Sequence, residues 1–156
     1  MPAVFVSHSS KDQSVTERVC RRLEAAGVAA PWADFDPEHG IPAGRNWERE
    51  LYAQLRQADA VVFIASDESV LSRWCFAELA LARSLRRPVF PIRVDDGAEL
   101  EILKNEQWID LDDPDMVGRL KAGFAAAGLD DTNSFTRDRT RSPTLTALGT
   151  RTRFMP

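Results

Sequence analysis

The sequence lacks several features that would place it in a specialised class of protein. No apolar run approaches the roughly 20 residues that a helix needs to cross a bilayer, and the first residues lack the basic-then-apolar layout of a secretory signal. There are only two cysteines, Cys20 and Cys75, and they have no CxxC spacing. We therefore expect a cytoplasmic protein with no membrane contact, disulfide framework or zinc site, whose cysteines are reduced, buried thiols.

Positive charge is also scarce where a nucleic-acid-binding protein would need it. Residues 1–130 contain 15 Lys and Arg against 22 Asp and Glu, whereas residues 131–156 contain 5 against 2. Affinity for a phosphate backbone comes mainly from clustered Lys and Arg, so the acidic body argues against nucleic acid as a partner.

The length of 156 residues suits one domain, and a hydrophobic share of 44% is typical of a globular protein.

Short apolar runs alternate with amphipathic stretches along residues 1–130, which predicts a parallel sheet with helices on both faces. We predict five strands, at residues 4–6, 29–35, 60–65, 89–94 and 107–111. We predict helices over residues 15–26, 47–58, 73–85 and 115–127, the first opened by a capping box at residues 10–13 and ended by Gly27. Residues 36–46 are rich in Gly and Pro and form a loop that is a candidate lid.

Residues 131–156 differ in composition from the body. They contain nine Ser or Thr and five Arg in 26 residues, with no amphipathic period. This composition predicts a flexible tail or linker. It suits a segment that leads to a further domain as well as it suits a free C-terminus.

Residues directly after the strands are the candidates for a site, because ligands of open α/β sheets bind beyond the carboxyl ends of the strands. Ser7, His8 and Ser9 follow the first strand at a predicted helix N-terminus, where hydroxyls and exposed amides favour an anion. The same residues would also serve simply as helix caps.

The second candidate region is the loop at residues 36–46 with the start of the next helix. Ile41 is an apolar residue on this polar loop. Trp47 opens the next helix, where it either stacks on a flat ring or packs into the core.

The third candidate is a carboxylate within an apolar helix. Trp74 and Glu78 are four residues apart and therefore share one helix face. A carboxylate on an apolar face must be paired, neutralised or functional. Spacing alone leaves open whether Glu78 is functional or is a structural ion-pair partner of Arg45, Arg73 or Arg83.

Four segments in this order resemble a known family. They are VFVSHSSKD at residues 4–12, the loop at residues 40–44, SRWCFAE at residues 72–78 and PVFPIRV at residues 88–94. The chain resembles a bacterial Toll/interleukin-1 receptor (TIR) domain over roughly residues 3–128. This resemblance implies the TIR fold for residues 1–130, which is a flavodoxin-like open sheet of five parallel strands with helices on both faces.

The resemblance also implies an activity. Active members of the family cleave the nicotinamide–ribose bond of NAD⁺ with a glutamate in a Trp-x-x-x-Glu setting, which Trp74 and Glu78 match. The implied function is an NAD⁺ glycohydrolase or cyclase of signalling or bacterial immunity that releases nicotinamide and ADP-ribose or a cyclic isomer. NAD⁺ is then a substrate, with no cofactor and no metal, and TIR–TIR self-association accompanies activation. Glu78 is the implied catalytic residue, and the implied substrate-binding residues are Ser7, His8, Ser9, Ile41, Trp47 and Trp74.

The first segment departs from some active relatives, which carry aromatic and basic residues where this chain has Ser-His-Ser-Ser. The main alternative function is a non-catalytic TIR adaptor or scaffold that acts through TIR–TIR association. A more distant one is a nucleoside deoxyribosyltransferase-like enzyme with a lone glutamate. A response-regulator receiver is excluded, because its acidic residues and lysine are replaced here by Ser7, Ser66 and Arg93 at the corresponding strand ends.

Overall fold

The computed structural model describes residues 1–33 and 46–129 of the chain. The strands are β1 (Ala3–Ser7), β2 (Ala30–Ala33), β3 (Ala60–Ala65), β4 (Val89–Arg93) and β5 (Ile109–Asp110). The helices are α1 (Gln13–Ala25), α2 (Trp47–Gln57), α3 (Arg73–Ser84) and α4 (Met116–Ala126). The candidate lid, apart from Asn46, and the predicted tail lie outside the described residues. No helix in the described ranges is long and apolar enough to cross a membrane.

The five strands form one parallel sheet in the order β2-β1-β3-β4-β5. All six residues of β3 are buried, which is expected of a parallel strand covered on both faces. The order reverses between β1 and β3, and such a switch point opens a crevice beyond the carboxyl ends of the strands. The predicted five-stranded α/β architecture is confirmed.

Alternation of side chains along β1 divides the core into two layers. Val4 and Val6 pack with α1 and α4 on one face, whereas Phe5 packs with α2 and α3 on the other. As predicted, α4 is anchored by Met116 and Phe124, which are both buried. The site described below lies on the side of α2 and α3.

The start of α1 differs from the prediction. Ser9 caps a short 3₁₀ turn at Ser10–Asp12, and its Oγ accepts from the Lys11 amide at 3.3 Å. The helix therefore begins at Gln13, and the predicted capping box at residues 10–13 is wrong because the 3₁₀ turn occupies those residues. Its end is as predicted: Gly27 has φ +65°, and the Val28 amide donates to the Leu23 carbonyl at 3.0 Å.

The edge strand is shorter than predicted. Only Ile109 and Asp110 of residues 107–111 pair with β4. Trp108 lies outside the ladder because its Nε1 donates to the Leu103 carbonyl at 3.1 Å and the Arg93 guanidinium lies 4.9 Å from its ring centroid. The indole of Trp108 thus holds the segment around Leu103 against the edge of the sheet at Arg93.

The C-terminus of α3 yields a stability prediction. Arg86 is exposed and has φ +56°, a left-handed conformation that glycine adopts without strain. We expect Arg86→Gly to stabilise the protein by about 0.5–1 kcal/mol. Its melting temperature should then rise by about 1–4 °C. As a control, Ser84→Gly at the exposed last residue of the same helix should destabilise by about 0.5 kcal/mol. Urea unfolding of both variants tests this, and a less stable Arg86→Gly protein would contradict it.

Candidate functional site

Buried polar side chains gather where β1 and β3 end. Ser7 pairs with Phe63 across the two strands, and Ser7 and His8 are only 0% and 2% exposed. Ser66 and Ser69, which follow β3, are also buried. Buried polar groups at the switch point of an open sheet mark the default position of a ligand site.

A small pocket opens at this position. Glu78 and Trp74 from α3 line it with His8, and Glu78 is 3% exposed whereas Trp74 is half-buried. The remaining lining residues are Phe5, Val6, Leu51 and Gln54. The pocket has a volume of about 10 Å³, which is room for about one water molecule.

The sequence of α3 explains how a carboxylate reaches this depth. Ser72 caps the helix by accepting from the Cys75 amide at 3.2 Å. Cys75 and Leu79 are fully buried against the sheet, and Glu78 lies between them along the chain. Trp74, one turn earlier, reaches the same pocket, as the four-residue spacing predicts.

Three arginines were suggested as structural ion-pair partners of Glu78. Arg83 donates to the Ile102 carbonyl and Arg73 is exposed, whereas Arg45 lies outside the described residues.

The Cys75 thiol lies close enough to the Glu78 carboxylate to interact with its charge. Burial, and then the negative charge of Glu78, raise the pKa of this thiol to about 12, against opposing hydrogen bonds with Ser72 and Ser7. Ser7 Oγ makes no hydrogen bond of standard geometry to another described residue, so the sulfur is its polar neighbour. Ser7 therefore interacts with Cys75, the neighbour of Glu78, and does not itself line the pocket.

His8 is held by the backbone of the next residue. Its Nδ1 lies 2.8 Å from the Ser9 carbonyl oxygen. Ser9 itself caps the 3₁₀ turn and is absent from the pocket lining, which matches the capping alternative for this residue. Of the residues predicted to bind substrate, the structure thus brings His8 and Trp74 to Glu78. Ile41 and the Trp47 side chain lie outside the described part of the chain.

Contacts between distant segments fix the rim of the site. The Ser66 hydroxyl donates to the Asp12 carboxylate, and Ser69 Oγ accepts from the Ser66 amide at 2.8 Å. Lys11 and Glu68 form an exposed ion pair at 3.2 Å. These contacts join the segment after β1 to the segment after β3, so they hold His8 in register with α3. No sequence pattern indicates them, because Asp12 and Ser66 are 54 residues apart.

Other lining residues were not found by sequence reasoning. Phe5 and Leu51 have the pattern of core residues, and Gln54 is a polar helix residue with no distinguishing signal. The ring centroids of Phe5 and Trp32 lie 5.3 Å apart, and Trp32 is 41% exposed at the edge strand β2. The inner wall of the pocket is therefore an extension of the hydrophobic core.

Comparison with known proteins decides the family. The model of the TIR domain family matches residues 4–122, which include every described residue that lines the pocket. The chain belongs to the TIR domain family. A Cytobacillus dafuensis protein provisionally named a cyclic ADP-D-ribose synthase, TIR2, is 30% identical to it over 101 residues. That match covers 63% of this chain and 27% of the relative, so this TIR domain spans about a quarter of the relative's length.

Two solved structures share the fold of this TIR domain. One is the TIR domain of the Toll-related receptor TRR-2 of Hydra magnipapillata, with a TM-score of 0.61 and 15% identity over 82% of this chain and 99% of that one. The other is a prokaryotic SEFIR domain, with a TM-score of 0.56 and 13% identity over 78% and 97% of the two chains. At these identities the likeness establishes the TIR fold alone.

The two free cysteines of this TIR domain yield a prediction. Burial raises the pKa of the half-buried Cys20 thiol to about 11, and that of Cys75 is raised to about 12. Because the thiolate is the nucleophile, we expect both to react with Ellman's reagent at pH 8 at least about 100-fold more slowly than free thiols. Both should react at once in guanidinium chloride. Rapid reaction of Cys75 in the native protein would show that α3 opens beside Glu78.

Proposed function

We propose that this TIR domain cleaves the nicotinamide–ribose bond of NAD⁺, with Glu78 as its catalytic carboxylate. The observation that carries the proposal is the burial of Glu78, at 3% exposure, in a pocket with Trp74 and His8 at the switch point of the sheet. A fold rarely buries a carboxylate beside apolar side chains without a pairing or functional reason. The C. dafuensis relative is named for the synthesis of cyclic ADP-D-ribose, a product that cleavage of NAD⁺ can give, and this supports the same chemistry.

The proposed reaction uses the charge of Glu78. The C1′–N bond breaks with its electron pair passing to the pyridine nitrogen, so nicotinamide leaves as a neutral molecule and needs no general acid. The ribose left behind resembles an oxocarbenium ion, and a carboxylate beside it stabilises the developing positive charge. Water or a nitrogen of the adenine ring then captures the cation, giving ADP-ribose or a cyclic isomer. No step in this scheme calls for a metal, and metal independence stays a prediction.

The described residues form only the inner end of the proposed site. NAD⁺ is far larger than a pocket of about 10 Å³, so we place only the reacting ribose near Glu78. The half-buried Trp74 then lies where the nicotinamide ring leaves, and an indole stacks well on a flat ring. Binding of NAD⁺ by Ile41 and Trp47 stays a prediction from the resemblance.

The charge of Glu78 is tested by Glu78→Gln, which keeps the size of the side chain. If the carboxylate stabilises a cationic transition state, nicotinamide release should fall by at least about 100-fold, and the melting temperature should change little. Glu24→Gln, an exposed change on α1, is the matched control and should retain full activity. Nicotinamide release and thermal unfolding are measured on the same samples.

Two outcomes would contradict this role. A Glu78→Gln protein that melts normally and cleaves NAD⁺ at the wild-type rate removes Glu78 from the mechanism. A lower melting temperature with undiminished cleavage by the folded fraction identifies Glu78 as a structural ion-pair partner. Removing one member of a buried ion pair leaves the other charge buried and uncompensated, which destabilises the fold.

A second candidate function is an adaptor that acts through TIR–TIR association. Two exposed apolar side chains favour it, Leu71 in the turn before α3 at 83% and Phe76 in the first turn of α3 at 51% exposure. Exposed apolar surface of this kind is a feature of association sites when it is contiguous. The two functions are compatible, since α3 also carries Trp74 and Glu78.

Self-association and catalysis together predict a dependence on protein concentration. We expect the specific activity to rise steeply with concentration, and isolated monomers to be slow. The exposed change Leu71→Asp should reduce this rise without changing the melting temperature. Activity is measured over a wide dilution series alongside light scattering. A flat specific activity with no oligomer at the highest concentration would refute the prediction.

A further inference from the structure

We infer that His8 is the base that accepts the proton of the attacking water, and that it thereby sets the ratio of hydrolysis to cyclisation. The inference rests on the proposed NAD⁺ cleavage and adds a second catalytic residue to it. Three observations carry it: the position of His8 in the pocket, the tautomer of its ring and the size of the space in front of Glu78.

The first observation is position. His8 directly follows β1, is 2% exposed and lines the same pocket as Trp74 and Glu78. Contacts across the site, such as the Ser66–Asp12 hydrogen bond, hold the segment after β1 against the segment that leads into α3. An imidazole placed in this way belongs to the inner end of the site, where the ribose carbon reacts in the proposed mechanism.

The second observation is the tautomer. His8 Nδ1 lies 2.8 Å from the Ser9 carbonyl oxygen, and because a carbonyl only accepts, Nδ1 carries the hydrogen. The Ser9 carbonyl is itself fixed, since the Asp12 amide donates to it at 3.0 Å. In the neutral ring, Nε2 is then the acceptor nitrogen. A base oriented by a backbone acceptor on its other nitrogen is the usual arrangement of a catalytic histidine.

The third observation is the size of the pocket. Its volume of about 10 Å³ admits about one water molecule, and His8 and Glu78 both line it. In the proposed mechanism the ribose carbon lies at the mouth of this pocket, which leaves the pocket itself for the one water molecule that hydrolysis consumes.

The two routes of capture differ in their need for a base. In hydrolysis, the water oxygen bonds to C1′ of the ribosyl cation and one proton passes to Nε2 of His8, which later returns it to solvent. In cyclisation, an adenine nitrogen bonds to C1′ through its lone pair, and no proton leaves as the bond forms. Loss of the base therefore slows only the water route, whereas Glu78 serves both.

The test replaces His8 by Asn, whose amide can still donate to the Ser9 carbonyl but is not a base. The ratio of cyclic to linear ADP-ribose formed from NAD⁺ should rise at least tenfold. Cleavage of nicotinamide mononucleotide, which has no adenine and can only be hydrolysed, should fall at least tenfold. The exposed change Ser10→Ala is the matched control and should alter neither quantity. The product ratio does not depend on the amount of folded enzyme, so partial unfolding of His8→Asn does not affect it.

The possible results are distinct. An unchanged ratio in His8→Asn, with undiminished mononucleotide cleavage, overturns the inference and leaves Glu78 or bulk solvent as the proton acceptor. A wild-type protein that cleaves NAD⁺ to the cyclic product alone overturns it as well. Absence of nicotinamide release from the wild-type protein at all concentrations is instead the failure of the proposed function.

Discussion

Burial of β3 on both faces is the constraint on which the rest of the structure depends. Its six residues from Ala60 to Ala65 expose no surface that water reaches, so helices must cover both sides of the sheet. Parallel strands require crossovers, and these place α1 on one face of the sheet and α2 and α3 on the other, while α4, which follows β5, packs on the face of α1. The segment after β1 leads to α1 and the segment after β3 leads to α3, on opposite faces of the sheet, so a crevice opens between the carboxyl ends of the two strands. His8, Ser66 and the start of α3 are all brought there by topology.

The same layering gives Glu78 its setting. Its neighbours on α3, Cys75 and Leu79, are fully buried against the sheet, so the carboxylate is drawn out of water by the helix that carries it. Burial, and then the negative charge of Glu78, raise the pKa of the Cys75 thiol, because both oppose formation of a thiolate there. A neutral thiol here is a compact, weakly polar support that adds no second charge. The site therefore holds the Glu78 carboxylate in a low-dielectric layer, where the electrostatic stabilisation of a cation that the proposed mechanism needs is stronger than in water.

Local patterns predict most of the fold, and they fail where particular side-chain contacts or the packing of elements decide. The apolar run of β3 and the spacing of Met116 and Phe124 in α4 identify their elements directly. The edge strand was predicted too long because Trp108 has strand character in sequence, whereas its hydrogen bond to Leu103 takes it out of the ladder. Trp74 and Glu78 were found because a carboxylate in an apolar stretch is visible in sequence. Phe5 and Gln54 were not, since their place in the pocket depends on how α2 packs over β1.

The size of the pocket bears on where substrate recognition takes place. A space for one water molecule between strand and helix residues does not admit a nicotinamide ring unless side chains move. Phe5 belongs to a buried strand of a close-packed sheet, where displacement forfeits contacts on every side. Trp74 is half-buried on a helix, and a change of rotamer there leaves the backbone and the core intact. If this TIR domain cleaves NAD⁺ as proposed, we expect adjustment to the substrate on the α3 side of the pocket, at Trp74, which lies one helical turn from Glu78 on the same helix face.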